Sequence, residues 1–144
     1  MFLFRGVVSK PSSQRMYLSA NVSPASTTTQ ITGWTADSGY GATTIVSSAL
    51  VLDRAGTINI TSQAVISQNT FNQALTVYLY KNGTSGTLLA SASTSGTGTL
   101  NLSKTGATVA AGDTLAMYAN GGTYAAYIVI ASGTSNTYIQ FVSQ

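Results

Sequence analysis

Apolar and polar residues alternate along most of the chain with a period of two. This spacing is typical of β-strands that bury one face. The apolar positions of the clearest runs are Ile58 and Ile60, Leu75, Val77 and Leu79, Leu100 and Leu102, and Ile139 and Phe141. Turn-forming pairs such as Asn82-Gly83 and Ser132-Gly133 separate the runs. The pattern predicts almost no helix and places strands near residues 43–52, 56–67, 74–81, 86–93, 97–103, 113–119, 123–131 and 135–142.

The segment at 123–131 reads TYAAYIVIA and is apolar almost throughout. A short, continuously apolar run is typical of a strand that is buried on both faces. Many strands joined by short turns indicate a β-sandwich or barrel. We therefore expect an all-β protein built as an antiparallel β-sandwich.

The first 29 residues lack the regular alternation of the rest. Residues 1–20 carry two apolar patches, Phe2 to Phe4 and Met16 to Leu18, separated by the break at Lys10-Pro11. Residues 21–29, NVSPASTTT, are polar and irregular. We expect an extended N-terminal arm and linker at 1–29, followed by the β-domain at 30–144.

Composition changes the functional picture more than the fold. Charged residues make up 6% of the chain, against about a quarter in ordinary domains. The sequence holds three Asp and no Glu, His or Cys. It therefore lacks the groups for a thiolate nucleophile, a His-based acid/base pair or a Cys/His metal site. A Ser–Lys pair at Ser103-Lys104 would point to opposite faces of a strand. We expect no enzymatic activity and no cofactor or metal.

The net charge of +3 is carried by the arm. Arg5, Lys10 and Arg15 provide it, whereas the later cations and the three Asp balance each other. Three cations over eleven residues are fewer than the clustered basic face of a nucleic-acid binder. No apolar run reaches the length of a membrane span. We expect neither nucleic acid nor membrane as a partner.

Several motifs of the β-domain follow one another in a recognisable order. They are Trp34 with the polar stretch 35–40, Ala55-Gly56-Thr57, Leu79 to Gly83, Ala111 to Leu115, and the aromatic strand Tyr138 to Phe141. In this order and spacing, residues 31–142 resemble the globular head of complement-subcomponent and tumour-necrosis-factor-like proteins. The resemblance implies a ten-stranded jelly roll that assembles as a homotrimer.

The chain departs from the animal members of that family in two respects. The strand after Ala55-Gly56 reads Ile58-Asn59-Ile60 instead of an aromatic-rich sequence, and the residues ahead of the domain contain no Gly-X-Y repeat. Its Ser-, Thr- and Gly-rich, charge-poor composition is similar to that of jelly rolls on bacteriophage particles. The resemblance therefore implies a structural virion protein on the particle exterior, bound to the major capsid protein or another virion protein.

Two sets of residues are candidates for these contacts. Large apolar side chains and cations in the arm indicate an anchor that adds a strand to the sheet of a partner protein. The low charge, together with the trimer that the resemblance implies, indicates tyrosines at a self-association surface. We expect the arm to be removable without unfolding the trimer. The anchor candidates are Phe2, Phe4, Arg5, Lys10, Arg15 and Tyr17. The trimer-interface candidates are Tyr78, Tyr80, Tyr124, Tyr127 and Tyr138.

Three functional hypotheses remain open at this level. The first is a trimeric decoration (cement) protein that attaches to a phage capsid through its arm and presents a bland outer surface. The second is the receptor-binding tip of a phage tail or head fibre. The third is a secreted carbohydrate-binding module, in which an exposed Tyr or Trp34 stacks on a sugar ring. The tip and the module both need exposed aromatics in the loops at one end of the domain.

Overall fold

The alternating runs form strands, and a computed structural model describes them for residues 9–144. A 3₁₀ helix, Gly122–Tyr127, lies between the eleventh and twelfth strands. In chain order the strands are β1 (Gln14–Leu18), β2 (Thr29–Gln30), β3 (Trp34–Ala36), β4 (Ile45–Val46), β5 (Ala49–Val51), β6 (Gly56–Asn69), β7 (Leu75–Lys81), β8 (Thr87–Thr94), β9 (Gly98–Asn101), β10 (Lys104–Val109), β11 (Thr114–Asn120), β12 (Ile128–Ile130) and β13 (Tyr138–Ser143).

The strands build two antiparallel sheets that pack face to face. The first sheet has the order β10-β6-β13-β1-β3, and β9 and β12 also pair with β6. The second sheet has the order β4-β5-β11-β7-β8, with β2 added to β11. Apart from the pairs β4–β5 and β7–β8, which are consecutive, neighbours in each sheet are distant in sequence, so the chain crosses repeatedly between the sheets. The architecture is the antiparallel jelly-roll β-sandwich that was predicted.

Inward-facing side chains of both sheets make one core. The alternation seen in the sequence decides which side chains these are, because successive side chains on a strand point to opposite faces. The largest fully buried ones are Phe141, Met16, Leu18, Leu50, Leu52, Ile58, Ile66, Leu75, Leu79, Leu102, Leu115 and Met117. Gln14 is also fully buried: its Nε2 donates to the Val51 carbonyl at 2.8 Å, and its Oε1 accepts from the Thr44 N–H at 3.1 Å.

β6 runs the length of the domain and defines its two ends. Its 14 residues span about 45 Å at the usual rise of a strand. We call the end at Gly56 the proximal end and the end at Asn69 the distal end. Residues 9–13 lie at the proximal end, where Pro11 packs against Gly56 and its carbonyl accepts a hydrogen bond from the Ser143 hydroxyl.

The structure corrects the boundary of the N-terminal arm. β1 pairs with β13 on one side and with β3 on the other, and its Met16 and Leu18 are fully buried in the core. Residues 14–18 are therefore an interior strand of the domain rather than part of a separable arm. The remaining arm residues up to Val8 lie outside the described residues.

Two predicted strands are also corrected. The strand expected at 43–52 is a short hairpin, β4 and β5, because Ser47 and Ser48 adopt positive φ angles of 50° and 60° and reverse the chain. The strand expected at 123–131 is a strand only at Ile128–Ile130, since the 3₁₀ helix occupies the residues before it. That helix and β12 place Tyr124 and Tyr127 on the surface.

The sequence pattern missed the shorter strands. β2, β3 and β10 lie outside the predicted strands. The strand predicted at 97–103 ends at Asn101 as β9, and β10 begins at Lys104, where no strand was predicted. Within residues 9–144, no helix has the length and apolar character needed to cross a membrane.

Candidate functional site

The side-chain carboxyl groups of the three Asp residues all accept hydrogen bonds from the protein itself. Asp37 Oδ1 accepts from the Gly39 N–H at 3.0 Å. Asp53 accepts hydrogen bonds from the hydroxyl and the N–H of Ser12 at 2.6 and 3.0 Å. Asp113 accepts from the N–H of Ala110 and the amide of Asn82 at 2.8 and 3.0 Å. Among the described residues, no three acidic, His or Cys side chains come together as a metal site.

Hydrogen bonding explains the ionisation of two of these carboxyl groups. The Ser12 hydroxyl is the main group that holds the pKa of Asp53 below its ordinary value, and the neighbouring Arg54 charge adds to the effect. The Ala110 N–H lowers the pKa of Asp113 in the same way, with help from the Asn82 amide and the Lys81 charge. A general acid needs a raised pKa at neutral pH, so the environment of both groups is that of structural carboxylates.

Arg15, a predicted anchor residue, is engaged within the domain. Its Nε lies 3.3 Å from Oδ2 of Asp37, and one terminal nitrogen donates to Oε1 of Gln140 at 3.1 Å. The guanidinium carbon lies 4.1 Å from the centre of the Tyr138 ring, and the other terminal nitrogen donates to the Thr134 carbonyl. The structure thus assigns Arg15 to internal contacts, and an anchoring role for it is not supported.

The other anchor candidates divide into three groups. Phe2, Phe4 and Arg5 lie outside the described residues. Lys10 is exposed at the proximal end. Tyr17 is half-buried on the outer face of the first sheet, where it lies opposite Tyr138 across the β1–β13 pair. Of the described anchor candidates, Lys10 is therefore the one that is exposed at the proximal end.

The tyrosines predicted for a trimer interface do not form one surface. Tyr138 lies on the outer face of the first sheet, beneath Arg15. Tyr78 and Tyr80 lie on the outer face of the second sheet, with ring centres 6.0 Å apart, and Tyr118 packs edge-on against Tyr80 at 5.4 Å. The remaining two, on the 3₁₀ helix, lie at the distal end. One planar interface cannot use all of them.

A shallow apolar groove lies beside the tyrosines of the second sheet. Its volume is about 450 Å³, and Val46, Val51, Ala116 and Tyr118 form much of its wall. Val46 is 57% exposed, which is a high value for a residue of its type. The lining contains no charged side chain, so the groove offers apolar contact rather than recognition of an ion.

The most distinctive surface is an aromatic cluster at the distal end, formed by Phe71, Tyr124 and Tyr127. These side chains are 54%, 49% and 50% exposed. The Phe71 ring centre lies 5.2 Å from that of Tyr124 with the planes tilted by 43°, and 4.9 Å from that of Tyr127 with the planes nearly perpendicular at 87°. Every other aromatic side chain in residues 9–144 is at least half-buried, so the exposed rings of the described chain are gathered at one place.

A hydrogen-bonded frame holds the loop of Phe71. The Asn69 side chain accepts from the Gln73 N–H at 2.9 Å and donates to the Gln73 carbonyl at 2.8 Å, which closes the loop at 70–73. The Thr70 N–H donates to the Tyr127 carbonyl at 3.3 Å and ties this loop to the 3₁₀ helix. Asn69 is 8% exposed, so this amide belongs to the fold rather than to the surface.

The helix side of the cluster is fixed by close packing. A Cβ on Gly121 would lie 2.7 Å from a Pro24 ring carbon and 2.8 Å from the Ala125 Cβ, which leaves room for glycine alone. Gly122 has a φ of +65°, a conformation that glycine adopts without strain. The cluster therefore rests on a defined backbone.

Sequence reasoning missed Phe71, and the structure places Trp34 partly in the core. Phe71 lies among turn residues, NTFNQ, outside any alternating run; a large apolar side chain in such a context is the signal that could have found it. Trp34, a candidate for sugar stacking, donates its indole N–H to the Ile31 carbonyl at 2.7 Å and packs partly buried against the core.

Comparison with known proteins identifies the fold. No protein-family model and no curated protein matches the sequence. Among solved structures, the chain is similar to Eiger TNF from S. frugiperda, with a TM-score of 0.73, 11% identity and 94% of each chain covered. It is similar to murine APRIL at pH 8.0, with a TM-score of 0.69, 13% identity and coverage of 94% of this chain and 100% of the other. A second murine APRIL structure, at pH 8.5, has a TM-score of 0.63 and 13% identity. That match covers 92% of this chain and 98% of the other. At these identities the likeness shows a tumour-necrosis-factor-like jelly roll.

Proposed function

We propose that the chain is a non-enzymatic, homotrimeric head on the exterior of a virus particle. Its proximal end faces the particle, and its distal aromatic cluster contacts a partner outside. The fold shared with the tumour-necrosis-factor-like structures supports the trimer, and the low-charge composition similar to phage jelly rolls supports the virion.

The observation that carries this proposal is the separation of the two ends. Residues 9–13 lie beside Gly56, whereas the exposed cluster lies beyond Asn69, at the other end of the 14-residue strand β6. An attachment made through the proximal end directs the cluster away from the particle. A receptor-binding tip needs this polarity.

The outer face of the first sheet supports the homotrimer. It carries the apolar and aromatic side chains of Tyr17, Val65, Tyr138 and Val142. Uncharged amide and hydroxyl side chains lie between them. Arg15 and Asp37 form an ion pair on this face, and their two charges offset each other. Self-association favours surfaces with tyrosine, apolar side chains and few charges.

A capsid decoration protein is the second candidate within the same proposal. Its support is the position of residues 9–13 at the proximal end, since these residues follow the predicted anchor residues directly in the chain. Three exposed aromatic rings at the opposite end do not fit a bland outer surface, and we therefore favour the tip. A secreted carbohydrate-binding module would use the same aromatic cluster without being attached to a virus particle.

Two measurements test the proposal. Sedimentation of the purified full chain should give about three times the 14.8 kDa of one chain, and antibody labelling of purified particles in electron micrographs should mark their exterior. A monodisperse monomer at micromolar concentration would contradict the trimer. Particles without label, together with unbound protein in the supernatant, would contradict the virion assignment and leave the secreted module.

A further inference from the structure

We infer that the distal cluster of Phe71, Tyr124 and Tyr127 binds a neutral saccharide of one or two rings. The inference rests on the proposed function and names the ligand class of the proposed tip. Aromatic rings stack on the apolar C–H face of a sugar, while surrounding amides and hydroxyls bond its hydroxyl groups.

The area of the cluster fits a small ligand. A side chain of this size buries about 150–250 Å² when it is fully covered, so three rings at roughly half exposure offer on the order of 300 Å². A stable contact between proteins uses about 800 Å² on each partner. The aromatic surface is thus well short of a protein interface and matches a ligand of one or two rings.

The charge around the cluster fits a neutral ligand. Residues 66–74 and 120–137, which form this end, contain no Asp, Glu, Lys or Arg. The polar side chains beside the rings are amides and hydroxyls, including Gln68, Thr70 and Asn72. An anionic sugar would call for an Arg or Lys partner, and none lies in these segments.

The geometry of the rings fits stacking. The planes of Phe71 and Tyr127 are nearly perpendicular, at 87°, so the cluster offers both a ring face and a ring edge to a ligand. The bonds from Asn69 to Gln73 and from Thr70 to Tyr127 hold the supporting backbone in place before a ligand arrives. A preorganised site loses less conformational freedom on binding.

A trimer would repeat the site three times. Single stacking sites for neutral sugars are weak, and linked copies raise the overall affinity by about 10²–10⁴ when a surface presents repeated ligands. The expected ligand source is therefore a polysaccharide on a cell surface rather than a free monosaccharide.

The test uses the full chain and a set of immobilised oligosaccharides, both neutral (glucose, galactose, mannose, rhamnose and N-acetylglucosamine types) and acidic, followed by NMR titration of those that bind. We expect binding to at least one neutral oligosaccharide. Tyr127→Ala and Tyr124→Ala should each weaken it about tenfold or more, whereas Tyr127→Phe should stay within about threefold. Leu88→Ala, at an exposed position of the second sheet, is the control and should leave binding unchanged.

Three results would overturn the inference: no neutral oligosaccharide bound, binding to acidic ones alone, or unchanged binding in both folded alanine variants. Two further results distinguish a failure of this inference from a failure of the proposed function. If Tyr127→Ala abolishes adsorption of particles to their bacterium while periodate oxidation of the cell-surface glycans does not, the tip role holds and the saccharide is wrong. Saccharide binding by a protein that labels no particle supports the ligand class and contradicts the virion assignment.

Discussion

The two ends of the domain use their side chains in opposite ways. At the proximal end, the carboxylates of Asp53 and Asp113 accept hydrogen bonds from Ser12, Ala110 and Asn82, and Pro11 fills the space left by Gly56. At the distal end, the described segments 66–74 and 120–137 contain no charged residue, and three aromatic rings are about half exposed.

The difference separates groups that close the fold from groups that the fold leaves available. Polar groups of the proximal end are paired with the chain itself, so their substitution should appear as a loss of stability. Exposed rings gain little from folding, since only buried apolar area contributes.

The largest effect should come from the strand that leads out of the proximal end. Deletion of residues 1–18 removes β1 from between β13 and β3 and uncovers the core, so we expect no cooperative thermal transition in calorimetry. Leu18→Ala alone should lower the free energy of unfolding by about 2–5 kcal/mol, because this side chain is fully buried.

Leu88→Ala is the matched control for that substitution. Leu88 is 48% exposed on β8, and its truncation should change stability by less than about 0.5 kcal/mol. A folded, soluble protein without residues 1–18 would show that β1 is dispensable and would restore the separable arm.

The next effect concerns the frame of the distal loop. Asn69→Ala leaves the N–H and carbonyl of Gln73 without their partners, and we expect a loss of about 1–3 kcal/mol in chemical denaturation. The loop of Phe71 should also exchange its amide hydrogens faster. Asn72→Gly, on the same loop, keeps the positive φ of 49° at this position without strain and tests whether the frame resides in Asn69: an equal loss from both variants would contradict that assignment.

A small effect on stability is expected within the cluster. Tyr127→Ala should change the free energy of unfolding by no more than about 1 kcal/mol, since the ring is half exposed and its packing partner is one aromatic neighbour. A loss of 3 kcal/mol or more in urea denaturation would mean that the cluster is a structural element, and the contrast between the ends would fail.

The smallest effect should be that of pH near neutrality. Asp53 and Asp113 have lowered pKa values in the folded state, so the unfolded chain binds protons more readily as the pH falls. Their contribution to stability is therefore complete above about pH 5 and is lost in more acidic solution. We expect melting temperatures that are flat from about pH 5 to 9 and that fall below about pH 4. Ser12→Ala should reduce the acid-side fall; a steep change near pH 7 would contradict this account.

The sandwich could be predicted from the sequence because its long strands carry their own period. In β7, for example, Leu75, Val77 and Leu79 are buried and their neighbours are not, as the alternation requires. β1 has the same alternation at Met16 and Leu18, but its pairing partners are Tyr138–Ser143 and Trp34–Ala36. A local pattern does not reveal such distant pairing, so Arg15 was interpreted as part of an arm.

The sequence predicts the type of distal site, exposed aromatic residues at one end, but not which residues form it. The tip hypothesis called for exposed aromatics at one end, but the apolar run from Thr123 to Ala131 was interpreted as a buried strand. Its first half forms a 3₁₀ helix instead, in which Ala125 is buried and Tyr124 and Tyr127 are exposed. The close packing of Gly121 against Pro24 is a tertiary contact, which a local sequence pattern does not reveal.

The central claim is that the proximal end faces the particle and the aromatic cluster faces outward. The chain has no cysteine, so Lys10→Cys and Ala126→Cys, both at exposed positions, can each carry one gold label. Cryo-electron tomography of labelled particles then measures the distance of each label from the particle surface. We predict that the label at 126 lies about 40 Å farther out than the label at 10, as the length of β6 requires. Equal distances, or the label at 10 lying farther out, would contradict the account.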